Sequence, residues 1–269
     1  MSERHRLDVD SKKDCLVCGK RIWCRKAHVS KRQYCSYPCS SKGRRLKTES
    51  QVNSEFFSEP NEISSFYAGF IAADGCIEST QNRTPRVSIT LSESDRLILE
   101  DLAERLEFKN SISSVREKYV NLTVPSQTLV NDLLRVYNIS PRKTLSLKPP
   151  AGLDYVNSCA YIAGYVEGDG GYYIDQRSNR PTMHIKGTRD VLEWMIQLTQ
   201  ITQSVAKVKN KQCYSLSLHG DTAIHFRAHY INMDLPFLQR KNRFWENAGA
   251  NLTITGRSKS INYATFKAS

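Results

Sequence analysis

Apolar and polar residues alternate with a period of two over residues 86–91. Val87, Ile89 and Leu91 fall on one side and Arg86, Ser88 and Thr90 on the other, which predicts a strand with one buried face. A second strand is expected over 76–79, joined to the first by a turn at 80–85. Leu99, Leu102 and Leu106 then take up helical spacing, predicting a helix over 96–106 introduced by Ser92 and Asp95. Strands at 111–116 and 118–124 follow, then a helix opened near Ser126 and running to Tyr137.

The same order returns downstream, with strands at 172–176 and 182–186, a helix at 191–201, strands at 206–209 and 213–218, and a helix at 223–230. Ile89 aligns with Ile185 and Leu122 with Leu218, an offset of 96. An offset of 95 would turn the polar side of the second copy inward, so one extra residue is expected near its hairpin. Thr182, His184 and Lys186 are then the outward positions.

Each copy is preceded by a run of small residues ending in an acid and a glycine: FYAGFIAADG at 66–75 and YIAGYVEGDG at 161–170, 95 residues apart. Gly69 and Ala73 are four apart, as are Gly164 and Gly168, so each pair lies on one helical stripe and allows a second backbone to come close. A glycine inside a helix costs about 1 kcal/mol relative to alanine, so a packing reason is expected. Asp74 and Asp169 would meet at the foot of one seam. Carboxylates at helix C-termini sit at the unfavourable end of the dipole, an arrangement tolerable chiefly with a bound cation.

Charge changes the picture at the N-terminus. The chain carries a net +12, and residues 1–50 hold 14 Lys and Arg against 5 Asp and Glu, leaving only +3 for the rest. Five of the eight cysteines lie between positions 15 and 39. Cys15 and Cys18 form one knuckle, followed by Gly19 for the tight turn. Cys35 and Cys39 form a second, and the two together are what a tetrahedral zinc site needs. Cys24 and His28 are possible substitute ligands. A segment this small folds largely on the free energy of metal binding. Cys76, Cys159 and Cys213 are scattered and read as reduced core residues. No apolar run approaches a membrane span and the first residues are polar, so a soluble, intracellular protein is expected, with no membrane partner.

The paired stretches resemble the motifs of LAGLIDADG homing endonucleases in their single-chain, two-motif form, over roughly residues 62–248. The cysteine segment is similar to treble-clef or FCS-like zinc fingers. The resemblance implies an α+β fold of two pseudo-symmetric αββαββα repeats forming a saddle, plus the small finger. The expected domains are the finger at 1–46, a linker at 47–61, the first repeat at 62–148, an inter-repeat linker at 149–158, the second repeat at 159–248 and a tail at 249–269.

The resemblance further implies a monomeric, site-specific endonuclease that hydrolyses a double-stranded DNA target with magnesium. Asp74 and Asp169 would hold the divalent ions together with the backbone of Ala73 and Gly168, and Lys143 and Lys241 would stand near the catalytic centre. Outward side chains of the two sheets would read the DNA: Arg83, Arg86, Ser88, Arg116 and Lys118 in the first, and Arg177, Arg180, His184, Lys186, Lys207, Lys209 and Lys211 in the second. Arg25, Lys26 and Arg32 of the finger would contact phosphates. Two departures stand out. The sixth motif position is Ala72 in one copy and Glu167 in the other, and the polar residue that orients catalytic water has Ser88 as its nearest counterpart. A non-cleaving DNA-binding regulator, or a maturase that binds intron RNA, remains the alternative, beside a zinc-finger protein whose repeats only dimerise.

Overall fold

The computed structural model describes residues 9–25, 31–49, 51–80, 83–108 and 112–249. Lys26, His28 and residues 250–269 lie outside these, as do the side chains of Cys24 and Arg25. The chain divides into two compact units, 1–60 with 75–142 and 61–74 with 143–269, so the residues expected as the first repeat contribute to both.

The first unit begins with an antiparallel hairpin, β1 (Val9–Asp14) and β2 (Arg21–Arg25), followed by α1 (Tyr37–Glu49). The polar stretch after α1, expected as a linker, is anchored. Val52 and Phe57 are buried, the Phe57 ring meets the edge of Tyr137 at 6.1 Å, and the Asn53 N–H donates to the Leu106 carbonyl at 2.9 Å. The next helix, α2 (Glu62–Asp74), belongs to the other unit.

The first unit resumes with β3 (Gly75–Thr80), β4 (Arg83–Ser92), α3 (Arg96–Arg105), β5 (Ile112–Val115), β6 (Tyr119–Pro125) and α4 (Gln127–Tyr137). Its four strands form an antiparallel sheet in the order β3-β4-β6-β5. The alternation in the sequence sets its faces. Val87, Ile89 and Leu91 are buried with Val120, Leu122 and Val124, in the register Ile89 opposite Leu122. β4 starts at Arg83, inside the expected turn. Ser92 opens a 3-10 turn over Glu93–Asp95 without a side-chain cap, whereas Ser126 caps α4 by accepting the Leu129 N–H at 3.2 Å.

The second unit holds α2 and α5 (Tyr155–Asp169), then β7 (Gly170–Asp175), β8 (Arg180–Gly187), α6 (Arg189–Thr199), β9 (Ala206–Lys207), β10 (Tyr214–His219), α7 (Asp221–Ala228) and α8 (Gln239–Gly249). Its sheet has the order β7-β8-β10-β9, matching the first. The protein thus has two similar αββαββα halves in a mixed α and β fold, with the cysteine module before them.

The extra hairpin residue is visible in the pairings. Gly75 faces Ile89 and Gly170 faces Ile185, so an offset of 95 on one strand becomes 96 on the next. One alignment is corrected: Ile185 pairs with Leu216, so the counterpart of Leu122 is Leu216 and not Leu218. Both leucines lie on the buried side, so the inward and outward assignment is unchanged. Thr182, expected to face outward, is buried, with its hydroxyl 3.2 Å from Nδ1 of His219. Helix α8 was not anticipated. Its aromatic residues Phe244 and Trp245 close over Tyr172 of β7 at 5.6 and 5.4 Å.

Candidate active site and metal centres

The seam between α2 and α5 is made without side chains at its tightest points. A Cβ placed on Gly69 would lie 1.9 Å from the carbonyl oxygen of Tyr161, and one on Gly164 would lie 1.8 Å from that of Phe66. The two contacts are reciprocal, because each glycine faces the residue three places before its counterpart. Bulky apolar residues flank them: Phe66, Tyr67, Phe70 and Ile71 on α2 and Tyr161, Ile162, Tyr165 and Val166 on α5 are all buried. The glycines therefore set the distance of approach while their neighbours supply apolar burial.

That approach brings the helix ends together. A Cβ on Gly168 would meet the Ala73 Cβ at 2.4 Å and Oδ2 of Asp74 at 3.3 Å. Asp74 and Asp169 end their helices side by side, and both remain exposed to water. On its inner side the Asp169 carboxyl is desolvated. This, with the negative charge of Asp74, pushes it up to about 6, against the opposing pull of Lys143, Lys241 and a hydrogen bond from Tyr165.

Lys143 and Lys241 are buried, not loop residues in solvent. Lys143 opens a short 3-10 turn, Lys143–Leu145, close enough for its charge to act on Asp169. Lys241, near the start of α8, donates through Nζ to the Val166 carbonyl at 2.8 Å and to the carbonyl of Glu167. It therefore answers two carbonyls in the last turn of α5 and lies 5.5 Å from the Tyr172 ring centre. Glu167 is buried as well, and its Oε2 accepts the Leu238 N–H at 2.8 Å. Burial raises the Glu167 pKa, and the charge of Lys241 opposes that rise.

Sequence reasoning missed Tyr165, whose hydroxyl donates to the Lys186 carbonyl at 3.1 Å and also interacts with Asp169. Gly187 makes room for it, since a Cβ there would stand 2.6 Å from that hydroxyl. The one available signal was an aromatic four residues before the acid, on the same helical stripe. The two carboxylates are hard oxygen donors, which suits magnesium or calcium better than a soft metal.

The first unit carries a second centre. The Sγ atoms of Cys15, Cys18, Cys35 and Cys39 all lie within 4.8 Å of one another. The Cys35 N–H donates to Cys15 Sγ at 3.4 Å, and Cys18 and Cys39 each stand 3.5 Å from the Cys35 sulfur. Burial works against ionisation of Cys15, yet N–H groups of Val17, Cys18 and Cys35 and the Cys18 side chain bring its thiol down to about 6. For Cys39 the hydrogen bond with Ser36 favours ionisation, but the neighbouring thiols outweigh it and raise the group to about 11. Four sulfurs this crowded cannot all be thiolates without a cation among them, and the soft, four-donor set fits zinc.

The expected DNA-facing residues divide by sheet. On the first, Arg83, Arg116 and Lys118 are exposed. Arg86 is held by Glu78, with Nε 3.0 Å from its carboxylate. Ser88 lies 3.0 Å from the Thr123 hydroxyl, which donates to Asn121, whose amide reaches Thr90 at 2.7 Å. This face is thus a neutral hydrogen-bonding ladder edged by arginines. On the second, Arg177, Lys186, Lys207, Lys209 and Lys211 are exposed, and Arg180 is 3.2 Å from Asp221. His184 meets Ser217 at 2.8 Å, and burial and the Lys186 charge lower its pKa. In the finger, Arg32 is exposed and donates to the Trp23 carbonyl at 3.3 Å.

Residues 61–139 match the family model of the LAGLIDADG-like domain. Among solved structures, the meganuclease I-SmaMI bound to uncleaveable DNA is similar at 13% identity, covering 69% of this chain and 88% of that one, with a TM-score of 0.49. The LAGLIDADG homing endonuclease I-GzeII in complex with its DNA target is similar at 13% identity, covering 72% and 91%, with a TM-score of 0.48. No curated protein matches the sequence significantly. The resemblance to LAGLIDADG proteins read from the motifs therefore holds for the matched domain, and the four-cysteine cluster fits the finger expected before it.

Proposed function

We propose, from the LAGLIDADG-like domain at residues 61–139, that the chain is a site-specific endonuclease that hydrolyses both strands of a DNA duplex with a divalent metal. The observation that carries the reading is the pair Asp74 and Asp169. The seam forces two like charges together, and the desolvated one rises to about 6. Fold stability alone gives no reason to place two carboxylates at adjoining helix ends.

Asp74 and Asp169, with the carbonyls of Ala73 and Gly168, would hold the cation, which when bound supplies Lewis-acid polarisation of a phosphodiester and makes water acidic enough to attack it. Lys143 offsets the negative charge that builds as the phosphate is attacked. Lys241 keeps the last turn of α5 closed through the Val166 and Glu167 carbonyls, and so holds Asp169 in place. The Tyr165 hydroxyl, anchored on the Lys186 carbonyl, lies close enough to the Asp169 carboxyl to favour its charge. Exposed Arg83, Arg116, Lys118, Arg177, Lys186, Lys207, Lys209 and Lys211 would meet phosphates or base edges. The ladder of Ser88, Thr123, Asn121 and Thr90 offers both donors and acceptors to a major groove.

The test is cleavage of a plasmid library of randomised targets in magnesium by wild type, Asp74→Asn and Asp169→Asn. Wild type is expected to linearise a rare target. Each variant should lose linearisation by about a thousandfold, the rate equivalent of the several kcal/mol that metal Lewis acidity contributes. Tight binding of one duplex by wild type with every target left intact would instead establish the non-cleaving, maturase-like or regulatory reading.

A further inference from the structure

The finger presents aromatic side chains to solvent. Trp23 on β2 is 56% exposed and Tyr37 at the start of α1 is 78% exposed, in a module small enough to need every apolar residue for its core. Ile22, between Arg21 and Trp23, points inward and is buried, so Arg21 and Trp23 share the outer face of the hairpin. Arg32 is tied to the same strand through its hydrogen bond to the Trp23 carbonyl. On α1, Lys42, Arg44 and Lys47 are exposed as well. Lys12 faces Trp23 across the hairpin, and Asp14 faces Arg21 at 3.4 Å.

Exposed aromatics among cations match one chemistry closely. In a duplex each base is already stacked, so an aromatic ring has no base face to cover, whereas unpaired bases offer that face and the phosphates beside them take the positive charge. A protein partner would also bury the rings, but the excess of positive charge around them selects a polyanion.

We infer that the finger is a separate binding site for single-stranded nucleic acid, with Trp23 stacking on an unpaired base and Arg21, Arg32 and the basic residues of α1 contacting the phosphates. The site belongs to the other compact unit from Asp74 and Asp169 and does not depend on the endonuclease reading. It gives the protein a way to hold a displaced or frayed strand, or an RNA segment.

The experiment uses the full chain with its zinc, without magnesium, and a fluorescently labelled oligo(dT) measured by anisotropy beside a random duplex of the same length. Trp23→Ala should weaken oligo(dT) binding about tenfold, the value of one base stacked on an aromatic ring, and leave duplex binding within about twofold. Trp23→Phe should restore most of the loss, which separates lost stacking from a misfolded finger, and zinc content is measured for both variants. Equal oligo(dT) affinity for wild type and Trp23→Ala would overturn the inference. So would a loss confined to the duplex, or no single-strand binding by wild type, which would leave a protein as the partner of this face. None of these results touches target cleavage, whose failure is read separately from the aspartate variants.

Discussion

The cysteine module and the α2–α5 seam each crowd groups that repel one another, and they are held together by opposite means. In the module, four sulfurs lie within 4.8 Å and the apolar side chains Leu16, Trp23, Tyr37 and Leu46 are exposed, so cohesion is expected to come from a cation held among the sulfurs. In the seam, glycine backbones touch and large apolar residues are buried around them, so two carboxylates are carried as a load on an already stable scaffold. On the proposed reading, a metal would be a fold-maker in one region and a guest in the other.

Metal removal gives the largest effect and would break the comparison most directly. Structural zinc contributes on the order of 10 kcal/mol to such modules. Stripping metal should abolish hydrogen-exchange protection across 9–25 and 31–49, while the amides of α2 and α5 keep theirs. If α2 and α5 lose protection together with the module, the seam is not self-supporting.

A single methyl group gives the next effect. Gly164→Ala drives a Cβ into the Phe66 carbonyl, where nothing flexible can yield, and should cost at least about 3 kcal/mol in urea unfolding. Gly19→Ala in the module meets no atom within 4 Å and suffers only from its φ of +69°, so about 1 kcal/mol is expected. Equal losses at the two glycines would mean that close backbone approach is not what holds the seam.

The smallest effect is electrostatic. The Asp169 carboxyl rises from an ordinary 3.8 to about 6, so the folded protein binds its proton more tightly than the unfolded chain does. Its contribution to stability is therefore most favourable below pH 3.8 and is lost as pH rises through about 6. Metal-free Asp169→Asn should accordingly be more stable than wild type at pH 7, by about 1 kcal/mol once the screening of an exposed carboxyl is allowed for. The gain should vanish near pH 4. Magnesium binding should weaken as pH falls through about 6, measured by titration calorimetry, because protons compete for the same oxygens.

Much of this arrangement is legible in local patterns. The repeated motif announces two helices with small contact residues. The period of two in β4 sets which side of the sheet is buried, and the need to keep Ile185 inward reveals the extra residue between β7 and β8. The cysteine spacing predicted the cluster, because two short knuckles bring their sulfurs together almost regardless of what lies between. The stretch at 51–60 was harder to read. Its polar composition suggested a linker, yet two apolar residues, Val52 and Phe57, are enough to anchor it.

Residue order by itself determined the strands and most helices of the two repeats, the doubled aspartates and the four sulfurs, because each depends on spacing along a few turns or a single strand. Only the tertiary structure decided that Lys241 turns inward to the carbonyls of α5, that Glu167 is matched to the Leu238 N–H, and that Thr182 is buried on a face expected to meet solvent. It also decided the elevated proton affinity of Asp169. These features arise between residues as much as 75 positions apart, where partners are chosen by which surfaces meet and how much water they exclude, and no local periodicity records that choice.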